Sequence, residues 1–382
     1  MKGLELSRAF FEKAGRPIIE KVSPGILNSI TAGLIGEGSD VYGFDDEIST
    51  DHNWGPRFQI FLFEQNPDLQ ESIEKALSNY LQKKFEDKEI KQWPPGEGYK
   101  PFEVWFWPDF TEKLVGLRRR PIDPVSYARV TESQFFSLLS GTIFWDPNDD
   151  LKRAQAQWDH MPQEVWHWKL HWACMNLYRR DDILRAFIHK ETEMSKILLC
   201  RYAEWATRLG YLVAREYSPY RKWLLRVFKT LTGMDKVYNL IAMAINSQDV
   251  IAGYENLEHA ISILRDMMVD KKYLPENIGG LSRDDEPIQK PIKSRFDENF
   301  DAIENLSTND QFETLDQEGK NLLEVELERA MWIYKHNKAR IDVYPIAEYF
   351  LSLIGSGFRD QATRLCPLDL VGLLEQRPKN AP

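Results

Sequence analysis

The segment GEGSDVYGFDDEISTDHNWGPR, residues 36–57, places a serine next to glycines and follows it with several acidic residues. Gly36 and Gly38 let the backbone approach a ligand closely and adopt conformations that other residues resist. Ser39, among exposed backbone N–H groups, would complete a small concavity suited to phosphate oxygens. On its own, this pattern is more typical of a turn between a helix and a strand. The motif therefore needs a second feature before it indicates anion binding.

Oxygen-bearing side chains further along the chain supply that second feature. If a strand begins at residues 50–54 and continues into RFQIFLF, the side chains of Asp51 and Asn53 lie on the same face. Glu103 lies in the apolar run PFEVWFWP, where it either faces outward or needs a partner, because burying an unpaired acid is costly. Magnesium is bound by oxygen ligands, usually one or two carboxylates with phosphates and waters. The pattern predicts a Mg²⁺–triphosphate site beside the glycine-rich turn.

The order Gly38-Ser39, a spacer of eleven residues and then Asp51-x-Asn53 resembles the signature of the nucleotidyltransferase superfamily. That superfamily includes DNA polymerase beta, the CCA-adding enzymes and the aminoglycoside nucleotidyltransferases. More narrowly, GSDVYGFDDEISTDHNWGPR is similar to the nucleotidyltransferase-like family DUF4037. The same resemblance continues in SGTIFWDPNDDLKRAQ and in REYSPYRKWLLRVF, so that it spans roughly residues 30–230.

The resemblance implies a role for each residue of the motif. Gly38 and Ser39 would contact the nucleotide phosphates. Asp51 would be the primary metal ligand and Glu103 the third carboxylate, and these two are the expected catalytic residues. Asn53 departs from the superfamily pattern, in which a second aspartate bridges two ions. An asparagine can bind a metal through its carbonyl oxygen but adds no charge. A two-metal mechanism is therefore weakened, whereas one ion arriving with a nucleoside triphosphate could still bind.

Three further residues are candidates for nucleotide binding. Arg57 either reaches a phosphate or pairs with a nearby acid. Tyr220 and Lys222, in SPYRKWL, are predicted at the start of a helix in a second domain. In related two-domain transferases such helical-domain residues close over the cleft, and a lysine commonly meets the triphosphate. A solvated lysine beside a packed Trp223 is the alternative for Lys222.

Other acidic residues have simpler interpretations. Asp45 and Asp46 lie in the spacer of the motif and are expected to face solvent. No general base is identifiable from the sequence. Glu132 and Glu164 are candidates only because they lie near the predicted domain junction.

The sequence MPQEVWHWKLHWACMNLYRR contains a histidine pair, His167 and His171, that would share one helix face. Metal-binding pairs have this spacing, but HWKLH lacks the glutamate of the HExxH motif. Packing of the histidines among the neighbouring tryptophans is therefore favoured over a zinc site. The three cysteines are far apart and odd in number, which argues against a disulfide framework or a CxxC metal site.

Length and periodicity predict two domains and an α+β fold. The chain has 382 residues. Helices and strands alternate over residues 1–155, which predicts a nucleotidyltransferase-type domain with a small mixed sheet. Helical periodicity dominates residues 156–382, which predicts an all-α domain. In the first domain, a helix is predicted in LSRAFFEKAGRPIIEKV, and the amphipathic stretch ILNSITAGLIGEGSD follows it. A strand at 57–65, a helix at 69–87 and a strand at 100–110 come next. A helix, a strand and a turn are predicted within 133–150.

Composition limits the classes of function. The net charge of -10 argues against general nucleic-acid binding, because phosphate contacts need a basic surface. No apolar run approaches the roughly 20 residues of a membrane helix, so no membrane partner is expected. The charged N-terminal segment does not resemble a signal peptide, and a cytoplasmic location is expected.

Together these features predict a metal-dependent nucleotidyltransferase. An acceptor hydroxyl or phosphate would attack the α-phosphate of a Mg²⁺-bound nucleoside triphosphate, with ATP as the expected nucleotide, and pyrophosphate would leave. The acceptor is expected to be a small molecule. The sequence leaves three alternatives open: a catalytically degenerate nucleotide-binding pseudoenzyme, a transferase that modifies a protein or tRNA, and an interaction protein that uses its aromatic helical domain.

Overall fold

The computed structural model describes residues 2–51, 54–81, 84–85, 88–89, 100–121, 123–275, 278 and 341–364. The chain divides into two compact units, Met1–Pro162 and Gln163–Pro382. Helices combine with a small mixed sheet of four strands, which confirms the α+β class. Within the described residues, the first unit contains helices α1 (Gly3–Phe10), α2 (Arg16–Ile19), α3 (Pro67–Tyr80), α4 (Trp107–Val115), α5 (Pro124–Ala128), α6 (Glu132–Leu139) and α7 (Asp150–Ala156), and strands β1 (Thr31–Ile35), β2 (Phe58–Leu62), β3 (Lys84–Phe85), β4 (Lys88–Glu89), β5 (Phe102–Phe106) and β6 (Gly141–Trp145).

The four-stranded sheet has the order β5-β2-β1-β6. Strand β1 runs antiparallel to β2, with Gly33 opposite Gln59, and antiparallel to β6, with Ile35 opposite Gly141. Strand β2 runs parallel to β5, with Gln59 opposite Glu103. These directions bring the C-terminal end of β1 and the N-terminal ends of β2 and β5 to the same edge of the sheet.

Apolar side chains cover both faces of β2. On one face, Phe58 contacts Phe10 and Phe11 of the N-terminal helical segment, with ring centroids 5.4 and 5.5 Å apart. On the other face, Phe61 contacts Phe110 of α4 at 5.0 Å. Burial on both faces explains why β2 reads as a continuous apolar run instead of an alternating one. The predicted strand at 57–65 is confirmed in its central part.

Strand β1 lies within a segment predicted only as an amphipathic stretch. All five of its residues are buried, so no alternation of polar and apolar residues marks it as a strand. Gly33 meets the backbone of β6 so closely that a Cβ atom there would lie 2.9 Å from the carbonyl oxygen of Thr142. A glycine in a strand that permits such close approach is easily taken for a break in the pattern.

Two predicted elements are shorter than expected. The strand predicted over 100–110 ends at Phe106, and α4 begins at Trp107 with Pro108 in its first turn. The helix predicted over 69–87 ends at Tyr80, because Leu81 is extended. The helix, strand and turn predicted within 133–150 are confirmed by α6, β6 and the turn that starts at Asp146.

The described part of the second unit is helical, as the periodicity predicts. Segment 275–301 is polar and rich in proline and glycine, which predicts a surface connection, and NLLEVELERAMWIYKHNKARI, 321–341, has helical periodicity. Both lie outside the described residues, apart from positions 275, 278 and 341. The described helices are α8 (Gln163–Tyr178), α9 (Asp182–Ile188), α10 (Thr192–Ala214), α11 (Leu224–Phe228), α12 (Asp235–Asn246), α13 (Val250–Asp270), α14 (Tyr344–Ser352) and α15 (Ser356–Arg364).

A buried ion pair joins three segments of this unit. Arg180, which follows α8, is fully buried and pairs through its Nε and Nη2 atoms with Glu258 of α13. Arg180 also donates to the carbonyl oxygen of Ile341, and the Ile341 N–H donates to Glu258 Oε2 at 3.1 Å. The chain entering α14 is thereby attached to the core, and α14 packs along α8.

Among the residues that the structure describes, no helix combines the length and the apolar character needed to cross a membrane.

Candidate functional site

The glycine-rich segment follows β1 directly and forms a turn. Gly36 has φ 127° and Gly38 has φ 148°, values that L side chains rarely adopt. The turn is closed by the Tyr42 N–H donating to Gly38 O at 3.1 Å and the Phe44 N–H donating to Ser39 O at 2.7 Å. Gly38 and Ser39 are partly exposed, so ligand oxygens can reach this backbone. The glycine pattern is typical of a turn that leads from a helix into a strand, but the element before this turn is strand β1.

A buried ion pair holds the turn in place. Asp40 is 2% exposed, and its carboxylate accepts hydrogen bonds from Arg57 Nη2 at 2.9 Å and Nε at 3.3 Å. Asp40 Oδ1 also accepts from the Val41 N–H at 2.9 Å. Of the two interpretations of Arg57, the structure shows pairing with an acid, and a phosphate contact by Arg57 stays a prediction. Sequence reasoning overlooked Asp40, although an acid right after Ser39 and an arginine just before β2 were available signals.

Substitution of Gly38 tests whether this geometry depends on glycine. In Gly38→Ala, the new Cβ would lie 2.4 Å from Asp40 Oδ1, on a backbone that already disfavours alanine. We expect the free energy of unfolding to fall by about 1–3 kcal/mol, measured by urea denaturation. Gly36→Ala is the matched control, because it has the same kind of backbone strain but nothing within 4 Å of the added methyl group. Equal losses in the two variants would mean that the contact with Asp40 is unimportant.

Glu103 lies on β5 and has a partner in the protein. Its side chain is 20% exposed, and Oε1 lies 3.3 Å from Nζ of Lys113 on α4. The ammonium group of Lys113 also lies 4.6 Å from the ring centroid of Trp105. Lys113 thus offsets the cost of partly burying this acid, a role for which the sequence suggested a metal ion. Metal binding by Glu103 stays a prediction.

Gln59 connects the neighbouring strands at the same sheet edge. Its buried amide accepts from the Ile35 N–H at 2.7 Å and donates to the Ile35 carbonyl at 3.1 Å. These bonds fix the last residue of β1, directly before the glycine-rich turn. Because Gln59 also lies opposite Glu103 in the register, it links the turn to β5.

Asp51 does not lie on a strand. Residues Ile48–Asp51 form a 3₁₀ helix, and β2 begins only at Phe58. The prediction that a strand starts at 50–54 is therefore wrong, and with it the argument that positions 51 and 53 share a strand face. The side chain of Asp51 and the whole of Asn53 lie outside the described residues. Their metal-binding roles stay predictions.

Asp45 is buried, contrary to the expectation that it faces solvent. It is 5% exposed, and its Oδ2 accepts from the Gly3 N–H at 2.8 Å and from Trp54 Nε1 at 3.1 Å. Burial alone raises the pKa of Asp45, but these hydrogen bonds and the charge of Lys2 outweigh it and lower the pKa below its ordinary value. Asp45 thus ties the start of α1 to the chain just before Arg57. Asp46 is exposed as expected and caps the Ser49 N–H at 2.9 Å.

In the second unit, Tyr220 and Lys222 flank the start of a 3₁₀ helix, Arg221–Trp223, that leads into α11. Tyr220 is 38% exposed. Lys222 is exposed, with Nζ 4.9 Å from the ring centroid of the buried Trp223. This arrangement matches the alternative of a solvated lysine beside a packed tryptophan, and phosphate binding by either residue stays a prediction.

The histidine pair lies on α8, and each imidazole has its own contacts. His167 Nε2 lies 2.8 Å from Gln163 Nε2, and His171 Nδ1 lies 2.8 Å from the carbonyl oxygen of Ala347. The ring of His167 stacks on Phe350 at 5.9 Å. Across the described part of the chain, no three His, Cys, Asp or Glu side chains lie close enough together to hold a metal ion. The two candidate bases, Glu132 and Glu164, lie in the first turns of α6 and α8.

Comparison with known proteins adds one match. Residues 127–224 match the model of a protein family. That family is DUF4037. Its description is a domain of unknown function, and the match covers about a quarter of the chain. A search of curated proteins found no match.

The DUF4037 match supports the resemblance to that family over the middle of the chain. It starts at Tyr127 in α5 and ends at Leu224, and so it includes Tyr220 and Lys222. The glycine-rich turn, Asp51 and Glu103 lie before the matched residues. The DUF4037 description names no activity, so the likeness of the turn to nucleotidyltransferases depends on the motif itself.

Proposed function

We propose that the protein is a metal-dependent nucleotidyltransferase that moves a nucleoside monophosphate from a nucleoside triphosphate to an acceptor and releases pyrophosphate. One observation carries the proposal. The glycine-rich turn after β1, the chain leading into β2 and the acid Glu103 on β5 all belong to one edge of one sheet. A partly exposed turn can bind the phosphates of a nucleotide, and a carboxylate two strands away can bind the metal ion that accompanies it.

Each residue has a defined part in this proposal. Ser39 and the backbone amides of the turn bind phosphate oxygens, and the Asp40–Arg57 ion pair keeps the turn in its binding conformation. Glu103 and Asp51 are the proposed acidic ligands of Mg²⁺, with Asn53 as a neutral one. Glu103 fits a metal site as a partly exposed carboxylate, provided that Lys113 moves aside. Bound Mg²⁺ would offset the negative charge of the triphosphate.

The protein then has to hold and orient the reactants. Nucleotidyl transfer depends mainly on positioning and charge neutralisation. The buried Asp40 and Gln59 keep the turn and the strand ends rigid, which is the protein's share of that positioning. We propose ATP as the nucleotide and a small molecule as the acceptor, since the net charge of -10 disfavours nucleic acid. A cytoplasmic location is part of the proposal.

The proposal is tested by incubating the full-length protein with each α-labelled nucleoside triphosphate, with and without Mg²⁺, in a small-molecule extract. We expect Mg²⁺-dependent release of pyrophosphate and transfer of label to a small molecule. Transfer of label to protein or RNA in a whole-cell extract would identify a macromolecular acceptor. Binding of nucleotide without any pyrophosphate release would overturn the enzymatic proposal.

A second candidate is nucleotide binding without turnover. Two observations favour it: Asn53 brings no charge, and Glu103 is already paired with Lys113. Under this alternative the turn would bind a triphosphate and the acids would not assemble a catalytic metal site. The same assay separates the two candidates.

A further inference from the structure

Arg215 occupies a backbone position that favours glycine. It ends α10 with φ 64°, in the left-handed region, and its N–H donates to the Leu212 carbonyl at 3.1 Å. Glycine is the usual residue at this point of a helix end, because a side chain there is strained. An arginine at a strained position suggests that its side chain has a function that glycine cannot supply.

The guanidinium group of Arg215 has two contacts that orient it. Its Cζ lies 4.0 Å from the ring centroid of Trp166, and Nη2 donates to Gln163 Oε1 at 3.3 Å. Trp166 is itself buried, and its Nε1 donates to the Leu212 carbonyl at 2.9 Å. The indole of Trp166 is therefore held in place, and its contact and that of Gln163 orient the guanidinium in advance of any ligand.

Among the residues that the structure describes, no acid pairs with this charge. Three less exposed arginines of the described residues have carboxylate partners: Arg57 pairs with Asp40, Arg180 with Glu258 and Arg208 with Glu204. Arg215 has no carboxylate within 4.0 Å among these residues. Burial lowers the pKa of Arg215, against smaller opposing effects of Tyr273 and Tyr217. The exposed guanidinium therefore has donors that no carboxylate of the described residues occupies, and an anion from solution can accept hydrogen bonds from them.

The neighbouring histidine adds no second positive charge beside Arg215. Because Gln163 Oε1 accepts from Arg215, the Gln163 amide nitrogen faces His167 Nε2, which must then be the acceptor. His167 is accordingly neutral, with its proton on the buried Nδ1 atom, which has no hydrogen-bond partner. Burial and the positive charge of Arg215 lower the pKa of His167, against an opposing effect of Glu164.

We propose that Arg215, stacked on Trp166 and oriented by Gln163, binds an oxyanion of the carboxylate or phosphate class. The planar guanidinium matches either group through two parallel hydrogen bonds. All three residues belong to the helical unit, so the site is independent of the proposed nucleotidyl transfer. It requires neither Mg²⁺ nor turnover.

The test is calorimetric titration of the full-length protein with inorganic phosphate and, separately, with glutarate, at constant ionic strength and without Mg²⁺. We expect saturable binding of at least one of them with a Kd on the order of 1 mM or below. Phosphate binding alone would identify a phosphate-bearing ligand, and glutarate binding alone a carboxylate. Arg215→Gly should weaken this binding at least about tenfold, since hydrogen bonds to charged groups are lost. It should fold, because glycine relieves the backbone strain.

The matched control is Lys190→Gly. Lys190 is also an exposed cation with a left-handed backbone after a helix, at φ 63°, so this variant makes the same change of charge and of strain elsewhere. It should bind the anion like the unmodified protein. Arg215→Lys should also bind weakly, because an ammonium group lacks the planar pair of donors. Absence of saturable binding, or unchanged binding in Arg215→Gly, would overturn the proposal. So would an equal loss in Lys190→Gly.

Discussion

Replacing Arg180 with alanine is expected to lower the free energy of unfolding of the helical unit by about 3–5 kcal/mol. The substitution would leave Glu258 buried and without its cationic partner. It would also remove the donor to the carbonyl oxygen of Ile341, which anchors the chain entering α14. Removing one member of a buried pair is costly because the remaining charge cannot be solvated. Urea denaturation followed by far-ultraviolet circular dichroism measures the effect.

The neighbouring arginine provides the control. Arg179 pairs with Asp182 at 3.5 Å, but its side chain is 72% exposed. Arg179→Ala should therefore change the free energy of unfolding by less than about 1 kcal/mol. The double variant Arg180→Met, Glu258→Met should recover part of the loss, since no unpaired charge is buried. A loss in Arg180→Ala no larger than that in Arg179→Ala would show that the buried pair contributes little.

Replacing Asp51 with alanine is expected to reduce Mg²⁺-dependent pyrophosphate release by at least about 10³-fold, because a metal ion supplies several kcal/mol of charge stabilisation. This result follows if Asp51 is the primary metal ligand, as the resemblance to nucleotidyltransferases implies. Single-turnover assays with labelled ATP measure the effect, and circular dichroism verifies folding. Asp46→Ala is the control, because Asp46 is an exposed acid of the same segment that caps Ser49.

The companion substitution Asn53→Asp addresses the departure from the superfamily pattern. An aspartate would restore a second carboxylate and should leave activity unchanged or raise it. If Asn53→Asp instead loses activity, the amide is a specific requirement and the view of Asn53 as a weak ligand is wrong. If Asp51→Ala keeps full activity, the metal site lies elsewhere.

The parts of the fold predicted best are those with strong periodicity. Helices α3 and α6 and strand β6 were recognisable because their apolar residues follow one spacing, although the end of α3 at Tyr80 was not. Strand β1 was not recognisable as a strand, because it is buried on both faces and its apolar run is interrupted by Gly33. The change from β5 to α4 at Trp107 was also missed, since a run of aromatic residues fits a strand and a buried helix equally well.

The candidate site shows a similar limit. The glycine-rich turn was recognisable because glycine and serine types carry backbone information locally. The pairing of Asp40 with Arg57 was not, because it joins residues 17 positions apart through the fold. Whether Asp45 is buried depends on the N-H of Gly3 and the indole of Trp54. The sequence offers Arg57 as a partner for a nearby acid, but it does not identify which acid the fold brings to it.

The packing of α14 along α8 has a consequence for synthesis of the chain. Trp166 and His167 of α8 contact Phe350, and His171 contacts Ala347. About 170 residues separate α8 from α14, so a ribosome working at about 5–20 residues per second takes roughly 10 to 35 s to deliver the partner helix. During that interval the aromatic face of α8 has no α14 to pack against. The helical unit can therefore complete its core only after α14 has been synthesised, and until then the nascent chain offers an apolar surface to a chaperone.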